Sequence, residues 1–141
     1  MNPQYIDIHT HKFTPGQDIK SVINLRIGDA ELPGLLPGQL YSAGIHPWDL
    51  KNDCNYDEHF LLLSEIVKKD EVIAVGETGL DKVCSSDYTL QSKVFIKQLE
   101  IAENCSKPVI IHCVRLYSEL IQIRKNLNYP TPWILHGKRG S

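Results

Sequence analysis

Six short apolar runs, bounded by Pro, Gly and charged turn residues, alternate with longer amphipathic stretches along the chain. The runs cover residues 5–9, 21–26, 40–45, 72–75, 109–111 and 133–135. Short β-branched runs of this kind suit strands buried on both faces, as in a parallel sheet. Three stretches between them have helical character. Residues 57–69 begin at Asp57, a candidate N-cap, carry Phe60, Leu61, Leu63 and Val67 as an apolar set, and end on Lys68 and Lys69, where the helix dipole favours cations. Residues 89–106 place Phe95, Leu99 and Ala102 on one face and meet Pro108. Residues 116–127 place Leu120, Ile123 and Leu127 on one face. Residues 27–39 hold Pro33-Gly34 and Pro37-Gly38 and form a loop. The alternation predicts an α/β fold around a parallel sheet. With no linker-like tract, residues 1–141 are expected to form one unit.

Composition narrows the function. An apolar content of 42% argues against global disorder. Fifteen Lys+Arg against 17 Asp+Glu give −2, so no basic coat suits a long duplex. No apolar run approaches the roughly 18 residues of a membrane helix. The opening MNPQYIDIHTH lacks the basic and apolar regions of an export signal. Cys54, Cys84, Cys105 and Cys113 contain no C-x-x-C pair and are expected to be reduced thiols in a cytoplasmic protein. At 141 residues the chain is shorter than a complete (β/α)₈ barrel, which needs roughly 250.

The six histidines carry most of the chemical information. Asp7, His9 and His11 form D-x-H-x-H on the first run. A strand repeats every two residues, so these side chains share one face. Imidazoles about 7 Å apart along a strand can close on one metal ion, and a neighbouring carboxylate such as Asp7 orients them. Glu77 is expected in the loop after the fourth run, between Gly76 and Gly79, where a carboxylate could bridge two cations. His112 is expected just after the fifth run and His136 just after the sixth. Strand carboxyl ends are where α/β proteins gather ligands and catalysts, so these positions converge. His46, in GIHPW, has either a structural role or one lining the same mouth and binding substrate, with Trp48 as a stacking surface, and is not read as a ligand. His59, in the first turn of a helix, is expected to face solvent.

The strings IDIHTH at 6–11, SAGIHPW at 42–48, AVGETGLD at 74–81, KPVIIHC at 107–113 and ILHGKRG at 134–140 resemble, in order, those of the TatD-type metal-dependent hydrolases of the amidohydrolase superfamily. The D-x-H-x-H alone is shared by many amidohydrolases; GETGLD with GIHPW and KPVIIHC is far more specific. The resemblance implies a TIM-like (β/α) barrel, here incomplete with about six of eight strands and lacking the C-terminal part. It implies two divalent ions at the mouth: His9 and His11 on one, Glu77 bridging and catalytic, His112 and His136 on the other. Lys138 stands where the family carries an aromatic residue. The family pattern continues through two more strands, and the eighth carries an Asp that completes the first metal site and helps position the attacking water. That Asp has no counterpart in these 141 residues.

Two such ions, held by imidazoles and a carboxylate, would acidify water and stabilise an in-line displacement. The donor set favours Zn, Mn, Fe or Co, with Mg open on grounds of availability. The expected reaction is hydrolysis of a phosphodiester, by resemblance in DNA, at chain ends or in short single strands. Arg115, Lys138 and Arg139 are placed to hold phosphate oxygens, and Trp48 to stack on a base. No membrane and no obligate protein partner are expected. Two alternatives stay open: hydrolysis of a small ester, amide or lactone, or a catalytically impaired remnant. Open strand edges would favour self-association.

Overall fold

The computed structural model describes residues 5–10, 19–28 and 34–136, with 5–10 and 19–20 as backbone only. Strands β1 (Tyr5–Thr10), β2 (Ile19–Arg26), β3 (Leu40–Gly44), β4 (Val72–Asp81), β5 (Val109–Val114) and β6 (Trp133–Leu135) form one sheet in chain order. Every neighbouring pair is parallel. Parallel neighbours need long crossovers. Helices α1 (Asp57–Ile66), α2 (Tyr88–Cys105) and α3 (Tyr117–Leu127) supply those from β3 to β4, β4 to β5 and β5 to β6. All strand carboxyl ends therefore lie on one side of the sheet. Among the described strands β1 pairs only with β2 and β6 only with β5, so the sheet is open. This is the predicted α/β class with six strands of a barrel-like sheet.

Helix α2 packs on β4 through Phe95, Leu99 and Ala102, all essentially buried as their spacing predicts. Burying a side chain the size of Phe or Leu contributes about 1.5–3 kcal/mol each. Its first turn is capped by Asp87, whose Oδ1 accepts the Leu90 N–H at 2.8 Å. It ends at Ser106, in the left-handed conformation, ahead of Pro108.

Several predicted boundaries move. β4 does not stop at Val75 but runs through both glycines to Asp81, and β5 continues past Ile111 to Val114. Glu77 and His112 therefore sit inside strands rather than in loops. In α1, Tyr56 is the N-cap and Asp57 the first helical residue; Asn55 Oδ1 accepts the Asp57 N–H at 2.8 Å. The helix ends at Ile66, leaving Lys68 and Lys69 beyond it. Their expected place is taken by Lys107, whose ammonium donates to the carbonyls of Val67, Lys69 and Val72. Leu61 is not in the core but 69% exposed, because Leu63, Ile66 and Val67 form the inward face. His59 does not face solvent freely; it is half-buried, its ring 5.0 Å from that of Tyr56. Among the described residues the cysteines are free thiols, and no helix is long and apolar enough to cross a membrane.

Candidate metal centre

Glu77 owes its position to an irregularity in β4. Gly76 is opposite Ile110 and Thr78 opposite Ile111, so Glu77 is an extra residue on its strand. A bulge of this kind re-aims a side chain, and bulges gather next to active sites. The Gly76–Glu77 peptide is cis. Gly76 (φ 140°) and Gly79 (φ 152°) permit the path: a Cβ on Gly76 would run into the Ile110 carbonyl, and one on Gly79 into that of His112. Asn24 on β2 braces the bulge, donating to Gly76 O at 2.5 Å and to Ser42 Oγ at 2.9 Å. The Glu77 side chain is buried at the carboxyl ends of the strands.

Among the described residues, three imidazoles surround it. His112 Nδ1 lies 3.4 Å and His136 Nε2 4.0 Å from Glu77 Oε2, while His46 Nε2 lies 3.3 Å from Oε1. Donor atoms of His46, Glu77 and His112 all fall within 4.8 Å of one another, close enough to share a cation. Hydrogen bonding distinguishes the rings. His46 Nδ1 accepts the Trp48 N–H at 3.1 Å, so in the neutral ring Nε2 carries the proton and points it at Glu77. His112 is the reverse. Its Nε2 lies 2.8 Å from Oδ2 of Asp81, an acceptor-only group when ionised, so in the neutral ring Nε2 holds the proton and the Nδ1 lone pair faces Glu77.

The Asp81 carboxylate also accepts the Trp48 indole N–H at 2.7 Å and the Val83 N–H at 2.8 Å. Burial acts to raise its pKa, but the hydrogen bonds from Trp48, His112 and Val83 outweigh it and hold the carboxyl below its ordinary range. Burial likewise acts to lower the pKa of His112, but Glu77 and Asp81 carry it above the ordinary histidine value. Two buried glutamines of α2 hold the backbone here. Gln98 pairs with Ile45, accepting its N–H at 2.8 Å and donating to its carbonyl at 3.2 Å. Gln91 does the same for Asp81 at 2.7 and 3.0 Å.

The structure thus brings together His46, Trp48, Glu77, His112 and His136, which line one cleft of about 280 Å³. Trp48 is 59% exposed. Asp7 and His9 lie on β1, whose backbone alone is described. His11, Lys138 and Arg139 lie outside the described residues. Arg115 is exposed just past β5 and does not line this cleft; among the described residues the cation that does is Arg26, at the end of β2. Arg26 is held by Asp49 in a two-point pair at 2.9 and 2.7 Å. Sequence alone singled out neither Arg26 nor Asp81. The available signal for Asp81 was parity: once the strand is carried through Gly79, Glu77 and Asp81 share one face.

The family model "TatD related DNase" matches residues 30–141. An uncharacterized metal-dependent hydrolase of Buchnera aphidicola is 36% identical over 93 residues, covering 62% of this chain and 35% of that protein. The 3'-5' ssDNA/RNA exonuclease TatD of Escherichia fergusonii is 31% identical over 94 residues, covering 66% of this chain and 33% of its own length. The chain thus matches about a third of the length of these curated relatives. Among solved structures, that of the TatD homologue YjjV from Escherichia coli superposes with a TM-score of 0.76 at 21% identity, over 100% of this chain and 62% of that one. That likeness concerns the fold.

Proposed function

Because the chain belongs to the TatD related DNase family, we propose that it is a divalent-metal-dependent phosphodiesterase that acts on the ends of single-stranded nucleic acid. The observation that carries the proposal is the convergence of Glu77 Oε2, His112 Nδ1 and His136 Nε2, from β4, β5 and the end of β6. Two imidazole nitrogens and a carboxylate oxygen suit zinc or manganese, and tolerate magnesium less well. Glu77, His112 and His136 would hold one cation. His9 and His11, with Glu77 between, would hold a second, oriented by Asp7. A divalent ion in such a site supplies an acidified water and a Lewis acid for a phosphoryl oxygen.

The chain's own residues do the rest. His46 donates Nε2–H to Oε1 of Glu77, which leaves Oε2 for the ligand side. Arg26, preset by Asp49, offers a fixed guanidinium to a phosphate at the cleft. Arg115, Lys138 and Arg139 are placed by sequence to contact phosphates further out. The exposed Trp48 ring offers a stacking face for a terminal base. Single strands as substrate are supported by the relative named a 3'-5' ssDNA/RNA exonuclease and by the net charge of −2, which is poor for holding a duplex. Residues 1–141 are read as one unit of the family's barrel, supported by the superposition over the whole chain.

The test is an end-labelled single-stranded oligonucleotide incubated with zinc, manganese or magnesium, beside a panel of small esters, amides and lactones. Nucleotide release from an end, abolished by chelator and by His112→Ala, is expected. Hydrolysis of the small substrates alone would replace this reading with the small-molecule one. Metal binding without turnover of anything would overturn the enzymatic reading.

A further inference from the structure

We propose that Asp81 is the positioning residue of this site: its carboxylate locks His112 in the tautomer that turns Nδ1 toward Glu77, and ties that imidazole to the exposed indole of Trp48. The inference rests on reading His112 as a metal ligand. Both oxygens of Asp81 are committed. Oδ2 accepts from His112 Nε2 and Trp48 Nε1, and Oδ1 accepts from the Val83 N–H. The Asp81 main chain is pinned on both sides by Gln91, and the residue is 3% exposed. A carboxylate so held cannot turn away, and as an acceptor only it demands three inward-pointing hydrogens. His112 Nε2 must supply one, which in the neutral ring fixes the lone pair on Nδ1, 3.4 Å from Glu77. Carboxylates that orient ligating imidazoles this way are worth about 10–100-fold in metal affinity.

Asp81→Asn is the discriminating variant. An amide has one acceptor oxygen and one donor NH₂. With its oxygen toward Val83, the NH₂ faces His112 and favours the opposite tautomer, whose Nδ1–H confronts Glu77. With its oxygen toward His112, the NH₂ meets the Val83 N–H instead. The first arrangement reverses the lock, and the second weakens it by setting two donors against each other at Val83.

The experiment titrates the 141-residue chain with zinc and with manganese by calorimetry, as parent, Asp81→Asn, Trp48→Phe, His112→Ala and the Asp81→Asn/His112→Ala double variant. In metal-free protein, at a pH alkaline enough for the ring to be neutral, imidazole nitrogen NMR shifts report which His112 nitrogen is protonated. Asp81→Asn is expected to weaken metal binding by about 10–100-fold and to move part of His112 to the Nδ1–H form. Trp48→Phe, which keeps an aromatic ring and loses one donor, is expected to do less. In the His112→Ala background the Asn substitution is expected to change nothing further, as a residue acting through His112 requires. The proposal is overturned if Asp81→Asn binds metal as tightly as the parent, if its His112 stays wholly Nε2–H, or if the effect persists without His112. A parent chain that binds neither metal would overturn the metal-centre reading, while the NMR measurement would still decide the role of Asp81.

Discussion

Asp81 Oδ2 and His112 Nε2 are 2.8 Å apart in a buried ion pair that stands between the strand core and the cleft. Its two members shift in opposite directions, and this sets a pH dependence for the metal-free fold. Asp81 is held below its ordinary 3.8 in the folded chain, so its contribution is present above 3.8 and is lost as pH falls through the lowered value. His112 is raised above its ordinary 6.5, so its contribution is complete below 6.5 and is lost as pH rises through the raised value. In the presence of chelator, the melting temperature is expected to be highest between 3.8 and 6.5 and to decline on both sides. Added zinc should reverse the alkaline limb, because a proton on Nδ1 competes with the ion. Thermal melts over a pH series check both slopes. A chelated protein that keeps gaining stability above 6.5 contradicts the prediction.

Gln98 bears on stability more directly. Its amide satisfies both the N–H and the carbonyl of Ile45, in the segment that leads into His46. Gln98 is 0% exposed, so water does not replace it. Gln98→Leu keeps the volume and strands two backbone groups, each at a cost of about 1–3 kcal/mol. Denaturant unfolding should therefore show a loss of roughly 2–6 kcal/mol. A change within about 0.5 kcal/mol, the range of ordinary surface substitutions, would contradict it.

The same two glutamines mark where sequence stops being informative. The α/β class was legible because β-branched runs and helical periodicity are local signals, and Phe95, Leu99 and Ala102 are buried as their spacing predicts. His136 stands just past a strand, as expected, because Pro132 marks where that strand begins. From sequence Glu77 reads as a loop residue because the apolar run ends at Val75, ahead of Gly76. In the fold the positive φ values of Gly76 and Gly79 let β4 stay paired with β5 through Asp81. The roles of Asp81, Gln91 and Gln98 arise from pairings between separate elements, such as the indole of Trp48 with a carboxylate 33 residues away. No periodicity in the chain encodes such a pairing.

The open edges of the sheet give the last prediction. Among the described strands, β1 and β6 each have one partner. In β6, pairing to β5 runs through Pro132 O, which accepts the Val109 N–H at 3.0 Å, and His136 N–H, which donates to Ile111 O at 2.9 Å. By the alternation of a parallel ladder, the N–H groups of Trp133 and Leu135 point to the open side. Unpaired edge donors next to the 43% exposed Leu135 side chain offer a second chain a place to add a strand. The 141-residue chain is therefore expected to self-associate as its concentration rises. Leu135→Pro removes one outward donor without touching the β5 ladder, and should shift the chain toward monomer while leaving its circular dichroism unchanged. Light scattering across a concentration series measures both. A parent chain that stays monodisperse and monomeric, or a proline variant that associates as strongly as the parent, would show that these edges are not what brings chains together.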